Sequence, residues 1–329
     1  MKITVLGDGG WGTTLAILLN KKNKDVALWS VSKTYARYLD KYRRNPRFLP
    51  GIKIPSQIKI TANLNEAVAD ANLVIVAIPS IYLRKVVKRL KNIPKINKNL
   101  FVSVTKGIEI NTLRRMSEVI IEELGKLRIA VLSGPTIARE VAKDHPTTAV
   151  IAGRCESDLR FLQHLFTGPR FRVYTNTDVV GVELGGSLKN IIAIACGISD
   201  GLGFGTNSKA AILSRGLNEM RKLAVAMGGR GETLNGISGL GDLVTTCVSK
   251  FSRNRFVGEQ LAKGIPIKKI VSKMQMVAEG VTTVKSAHSL SLKYNIEMPI
   301  TKEIYQVIYR GKSAIKAVND LMSRKLKPE

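Results

Sequence analysis

ITVLGDGGWGTT, residues 3–14, is the stretch on which the fold turns. A β-branched and apolar run, Ile3 to Leu6, enters Gly7-Asp8-Gly9-Gly10-Trp11-Gly12 directly, and an apolar helical pattern begins at Thr13. Strand, G-x-G-x-x-G and helix in that order make the first βα turn of a doubly wound sheet. Gly7 permits the tight turn, Gly9 lets backbone approach a pyrophosphate, and Gly12 allows the helix to lie close to the strand. The helix N-terminus then offers N–H donors and a favourable dipole to phosphate groups. Asp8 is out of place in such a loop, because a carboxylate beside a pyrophosphate repels it; a side chain turned toward the sheet or solvent would lessen that cost.

Outward from this turn, short apolar runs at residues 26–29, 73–78, 101–104, 129–132 and 149–152 alternate with helix-length segments such as 13–22 and 81–90. Continuous apolar strands separated by helices predict a parallel sheet covered on both faces. Beyond residue 178 helical periodicity takes over, at 209–227, 255–263, 267–274, 282–294 and 300–309, punctuated by the glycine-rich stretches 197–205 and 228–241. The expected architecture is α/β, with a Rossmann-type doubly wound parallel sheet over residues 1–178 and a mainly α-helical domain over 179–329.

A chain of 329 residues is long enough for two cores. Three scattered cysteines and three histidines suggest neither a disulfide framework nor a metal centre, and the inside of a cell, the cytoplasm, is the expected compartment. The N-terminus lacks the long apolar region of a signal peptide. Residues 179–198 are apolar over about the length of a membrane span. They carry Glu183 and Lys189, and ionisable groups at mid-span are costly, so a buried helix is expected and no transmembrane segment. The formal charge of +27 is spread over many segments, as solvated helix faces would spread it. It would also steer anionic ligands and attract anionic lipid weakly. With 5% aromatic residues, no dedicated nucleic-acid platform is expected.

At the end of the second strand an NAD enzyme places an acid for the ribose hydroxyls. The segment Trp29-Ser30-Val31-Ser32-Lys33 has none. Ser30 and Lys33 therefore lean the reading toward the extra phosphate of NADP over NAD.

Several further groups have the chemistry for a site. Lys106 follows the strand at 101–104, where ligands of open α/β sheets bind, although a strand-end lysine also serves solubility. Ser133-Gly134-Pro135-Thr136 follows the next strand and presents N–H groups and a hydroxyl, or is simply a turn. Lys189 lies in a helix apolar on nearly every side, where a lysine is seldom a solvated charge. Reduction of a ketone needs a proton donor for the developing alkoxide, which an ammonium supplies; Asn190 beside it suits a substrate hydroxyl. Farther on, Gly241-Asp242 leads to Thr245-Thr246, and Ser252-Arg253-Asn254 opens a helix whose N-terminus, with a guanidinium, suits an anion.

Taken together these motifs resemble the bacterial-type NAD(P)-dependent glycerol-3-phosphate dehydrogenases. The resemblance runs nearly end to end, through NPRFLPG (45–51), VSVTKGIE (102–109), LSGPTIAREV (132–141), HPTT (145–148), the long run at 171–211, GLGDLVTTC (239–247), SRNR (252–255), VAEGVTT (277–283) and EMPIT (297–301). It implies reduction of dihydroxyacetone phosphate to sn-glycerol 3-phosphate for glycerophospholipid synthesis, by a homodimer. It makes Lys189 the proton donor or acceptor and sets Lys106 between nicotinamide and substrate. Gly134, Thr136, Asp242, Ser252, Arg253 and Asn254 would line the substrate pocket, with support from Asn190 and Thr246. Gly10, Trp11, Phe48, Ala138, Arg253, Val277 and Glu279 match cofactor-contacting positions. Asp8 replaces a small residue, and a basic residue near Ser30 is missing. The competing reading is a β-hydroxyacid-type dehydrogenase, which shares a Rossmann domain and a helix lysine but acts on carboxylates.

Overall fold

A computed structural model describes residues 1–22, 24–326 and 328, and divides into two compact units. The first comprises Met1–Lys106 and Arg114–Glu183, the second Gly107–Leu113 and Leu184–Glu329. The change of unit thus falls inside a helix that begins at Val179, and a short segment after Lys106 joins the later part of the chain.

In the first unit the chain runs β1 (Lys2–Leu6), α1 (Gly10–Asn20), β2 (Asp25–Trp29), α2 (Lys33–Tyr42), β3 (Arg44–Asn45), β4 (Leu49–Lys53), β5 (Lys59–Thr61), α3 (Leu64–Val68), β6 (Leu73–Val76), α4 (Ser80–Leu90), β7 (Leu100–Ser103), α5 (Met116–Leu124), β8 (Arg128–Ser133), α6 (Ala138–Ala142), β9 (Thr147–Gly153), α7 (Glu156–Phe166) and β10 (Phe171–Asn176). Eight strands form one sheet in the order β10-β9-β8-β7-β6-β1-β2-β5, and β3 pairs with β4 in a small separate ribbon. The central strands are buried along their whole length, and a cluster of buried apolar residues lies on each face: Leu15, Leu19, Leu39 and Phe166 in one, Leu83, Val87 and Ile120 in the other. Burial on both faces is why these strands read as unbroken apolar runs.

Two features depart from the parallel sheet expected. β8 and β9 pair antiparallel, because the link at residues 134–146 carries only the five-residue α6 and turns the chain back on itself. β10, parallel to β9, sits at the sheet edge, where Arg172 and Tyr174 face outward; that alternation hides it from a search for apolar runs.

The second unit is helical: α8 (Val179–Gly201), α9 (Thr206–Ala226), α10 (Asp242–Val248), α11 (Arg253–Ala262), α12 (Ile267–Ser272), α13 (Glu279–Lys293), α14 (Pro299–Arg310) and α15 (Ala314–Met322). α8 has the length and hydropathy of a membrane span, and 89% of its most apolar window is buried inside the protein. Its ionisable residues have partners there. Glu183, in the first unit, accepts from Ser117 N at 2.9 Å and from the buried Arg115 guanidinium. Gly197 of α8 and Gly258 of α11 let the two helices meet backbone to backbone: a Cβ on Gly258 would lie 2.1 Å from the Ile194 carbonyl oxygen.

Candidate functional site

In the first unit the glycine loop leaves β1 at Gly7, whose φ of 116° only glycine adopts without strain. A Cβ on Gly12 would stand 2.0 Å from the Gly7 carbonyl oxygen, so α1 starts tight against the loop. Around Gly9 nothing lies within 4 Å of where a side chain would be, which leaves backbone open to a ligand. The first N–H groups of α1 have no intrahelical acceptor and face that opening by helix geometry. Trp11, packed tilted on Phe171 at 6.4 Å, has a buried Nε1 without a partner among the described residues. An open glycine beside a helix N-terminus fits a dinucleotide's diphosphate.

The structure brings Gly10, Phe48 and Ala138 together. Gly10 lacks a Cβ where the Phe48 carbonyl oxygen comes within 2.6 Å, and the Ala138 Cβ is 3.6 Å from the same point. Asn45 holds this arrangement. Its amide donates to the Asp8 carbonyl and to Thr13 Oγ1, both at 2.8 Å, and its Oδ1 accepts from Tyr35 Oη at 2.7 Å and Phe48 N at 3.2 Å. At 1% exposure such a side chain must be fully bonded, and it is. The sequence reading missed Asn45, Thr13 and Tyr35; the only trace was the position of Asn45 at the head of NPRFLPG.

Asp8 does not point into solvent. Its Oδ2 accepts from Ser30 Oγ at 2.6 Å, at the carboxyl end of β2. Burial pushes its carboxyl above the usual range, opposed by the Ser30 bond and by the charge of Arg47. Ser30 is fully buried, and its hydroxyl is engaged by Asp8 and the Ser32 carbonyl. Lys33 begins α2, which Ser32 caps by accepting from Tyr35 N. Lys106, half-buried beyond β7, donates to the Gly134 carbonyl at 2.9 Å, and Thr136 Oγ1 donates to the same oxygen at 3.1 Å. Lys106, Gly134 and Thr136 therefore form one cluster at the strand ends.

The second unit has its own cluster. Lys189, 6% exposed on α8, donates from Nζ to the carboxylate of Asp242 and to Thr246 Oγ1 at 2.6 Å. Thr246 in turn donates to the Asp242 carbonyl at 2.7 Å. Asp242 starts α10 straight after a π-helical turn, Ile237–Gly241, the kind of irregular turn that re-aims side chains at functional sites. One helical step on, Asn190 Oδ1 accepts from Asn254 Nδ2 at 2.8 Å, and Asn254 Oδ1 accepts from Gly280 N at 2.9 Å. Ser252 caps α11 through Arg255 N, leaving the exposed Arg253 beside the helix N-terminus with Nη1 on the Val277 carbonyl at 2.6 Å. Glu279 opens α13 two residues later. Lys189, Asp242 and Thr246 are thus gathered at one point, and Asn190, Asn254 and Gly280 at another. Among the described residues no group of His, Cys, Asp and Glu is arranged to hold a metal.

Comparison with known proteins identifies the family. Residues 2–158 match the family described as NAD-dependent glycerol-3-phosphate dehydrogenase N-terminus, and residues 178–319 match its C-terminus. A glycerol-3-phosphate dehydrogenase [NAD(P)+] of Chlorobium phaeobacteroides is 48% identical over 100% of this chain and 99% of its own length. One from Fusobacterium nucleatum is 46% identical over 100% and 98%. Among solved structures, the glycerol-3-phosphate dehydrogenase of Coxiella burnetii superposes with a TM-score of 0.95 at 38% identity, covering 98% of this chain and 99% of that one.

Proposed function

From membership of the NAD-dependent glycerol-3-phosphate dehydrogenase family, to which this chain belongs as an NAD(P)-linked oxidoreductase, we propose that it reduces dihydroxyacetone phosphate to sn-glycerol 3-phosphate and so supplies glycerophospholipid synthesis. The observation that carries the mechanism is the buried Lys189, tied to Asp242 and Thr246. An ammonium in a helix this apolar would be costly without a counter-charge, and Asp242 at 1% exposure provides it.

The reduced nicotinamide, when bound, supplies the hydride. Gly9, Gly10, Trp11, Gly12, Phe48 and Ala138 surround the opening that suits its dinucleotide. Lys189 donates the proton to the ketone oxygen from Nζ, which Asp242 and Thr246 hold in a fixed direction. Preorganised donors of this kind cost no reorganisation as the alkoxide forms. Lys106, steadied on the Gly134 carbonyl, adds positive potential, with Thr136 beside it. Arg253 and the N–H groups at the start of α11 take the substrate phosphate, which a forked guanidinium and a helix N-terminus both favour. Asn190 and Asn254, bonded to each other, orient the substrate hydroxyl. Val277 and Glu279, near Arg253 in the second unit, are assigned to the cofactor only because their positions match those that contact it in the family.

Loss of NADH or NADPH absorbance with dihydroxyacetone phosphate and purified protein is the test. Rapid, substrate-dependent oxidation is expected; a folded protein that oxidises neither cofactor overturns the proposal. The same reading includes a homodimer acting in the cytoplasm with weak attraction to anionic lipid. Sedimentation velocity and cosedimentation with anionic vesicles at physiological salt test the first and last of these.

A further inference from the structure

The glycine loop carries an acid that the second strand lacks. In sequence the two positions are 22 apart, and the fold joins them: Asp8 Oδ2 lies 2.6 Å from Ser30 Oγ, the first side chain past the end of β2. β1 and β2 are parallel neighbours in register from Lys2↔Asp25 to Leu6↔Trp29, so the residues after each strand emerge side by side. The carboxyl end of β2 is where doubly wound dinucleotide sites place the group that reads the adenosine ribose. A carboxylate there accepts from the ribose hydroxyls, and a cation there binds a 2′-phosphate.

We propose that Asp8, held by Ser30, is the cofactor-selecting residue of this chain, accepting from the adenosine ribose hydroxyls and turning the site toward NADH by repelling the 2′-phosphate of NADPH. The inference rests on the cofactor part of the proposed function and on none of its substrate chemistry. Among the described residues Ser30 supplies the one side chain that donates to this carboxylate, at Oδ2, beside a bond from the residue's own backbone N–H, and a carboxylate's two oxygens keep acceptor capacity beyond these for a ligand hydroxyl. Its direction is constrained from both sides. Asn45 Nδ2 and Thr13 Oγ1 donate to the Asp8 carbonyl at 2.8 and 3.2 Å, and Ser30 N is fixed on the Thr61 carbonyl at 3.0 Å. The carboxylate is therefore aimed before any ligand arrives.

The surroundings would otherwise suit a phosphate. Lys33 is exposed at the start of α2, and the exposed Arg47 lies over the Tyr35 ring at 5.2 Å, close enough for its charge to act on Asp8. Asp8 sets an anion against these two cations at the end of β2. Without it the same backbone would present two cations and a helix N-terminus, a phosphate-binding set. The lean toward NADP drawn from residues 29–33 rested on a missing acid; the acid comes from the loop instead.

The test is direct binding by calorimetry on the full chain without substrate, using ADP-ribose and 2′-phospho-ADP-ribose as probes, with NADH and NADPH turnover as a parallel readout. The wild-type chain is expected to bind ADP-ribose at least about tenfold more tightly than its 2′-phosphorylated counterpart, the scale of one unfavourable charge contact. Asp8→Asn should close that gap chiefly by gaining affinity for the phosphorylated probe, while ADP-ribose affinity falls. Ser30→Ala, which only loosens the carboxylate, should move the ratio in the same direction by less and serves if the Asp8 variant does not fold. Equal wild-type affinities, or a variant that shifts both probes alike, overturns the assignment of Asp8 alone. If neither probe binds the folded wild-type chain, the cofactor site itself is overturned, and this inference with it.

Discussion

Replacing Lys189 by methionine separates the chemistry of the proposed proton donor from the folding role of its charge. Methionine is close to the lysine stem in volume, so little cavity forms, and what is removed is the ammonium bonded to Asp242 and Thr246. Asp242 is 1% exposed, and taking the cation from a carboxylate so buried costs about 3–5 kcal/mol. For a unit of this size each kcal/mol lowers Tm by about 2–4 °C, so a drop of roughly 10 °C is expected. Adding Asp242→Asn neutralises the stranded charge, and the double variant should regain most of that stability. Turnover should not follow. Loss of a general acid alone costs about 10²–10⁴ in rate, and neither the thioether nor the amide introduced by these substitutions can supply the proton. Thermal melts, steady-state oxidation of NADH and calorimetric cofactor binding on all four members of the cycle test this. Lys189→Met activity within about tenfold of wild type would refute the donor assignment. A double variant no more stable than Lys189→Met would refute the buried pair.

Three other perturbations follow from the geometry. Gly12→Ala sets a methyl 2.0 Å from the Gly7 carbonyl oxygen and must push α1 off the loop; cofactor affinity should fall by at least about tenfold, with roughly 1–3 kcal/mol lost in a urea melt. Glu183→Leu leaves Arg115, 8% exposed, with Glu118 as its carboxylate partner and should cost about 1–3 kcal/mol, part of it recovered on adding Arg115→Met. Glu219, buried and accepting from Ile300 N, Thr301 N and Thr301 Oγ1, has its carboxyl pushed up to about 7 by burial. Because the folded state then holds the proton more tightly than the unfolded chain, its contribution is full below about 4.5 and lost as pH rises through about 7. Up to about 3 kcal/mol should therefore disappear between about pH 4.5 and 7.5 in wild type but not in Glu219→Gln, as read by urea melts across that range.

Of the 52 lysines and arginines behind the formal charge of +27, several are used in local pairs, such as Arg255 with Asp200 and Lys312 with Glu303.

How much of this was legible in the residues depended on how local each signal was. β1, the glycine loop and α1 were readable because strand, turn and helix follow one another within 20 residues, and each has a periodicity or a glycine requirement of its own. Lys189 stood out because a lone cation in an apolar helix is anomalous whatever surrounds it. β10 escaped because an edge strand buries one face only, and the antiparallel turn of β9 because pairing direction depends on where a link leads, not on what its strands contain. Asn45, joining residues 8, 13, 35 and 48, carries no local mark beyond its place at the head of NPRFLPG.

Alone, then, the sequence determined that a dinucleotide turn exists, that a helical half follows it, and that Lys189 is buried in an apolar helix. Only the tertiary structure decided that Asp242 and Thr246 are its partners, and that Asp8 reaches across the neighbouring strand to Ser30. Periodicity and burial are properties of a segment, fixed by its own residues. A hydrogen bond between positions 8 and 30, or 189 and 242, exists only where register and helix packing bring the two stretches of chain within hydrogen-bonding reach of each other.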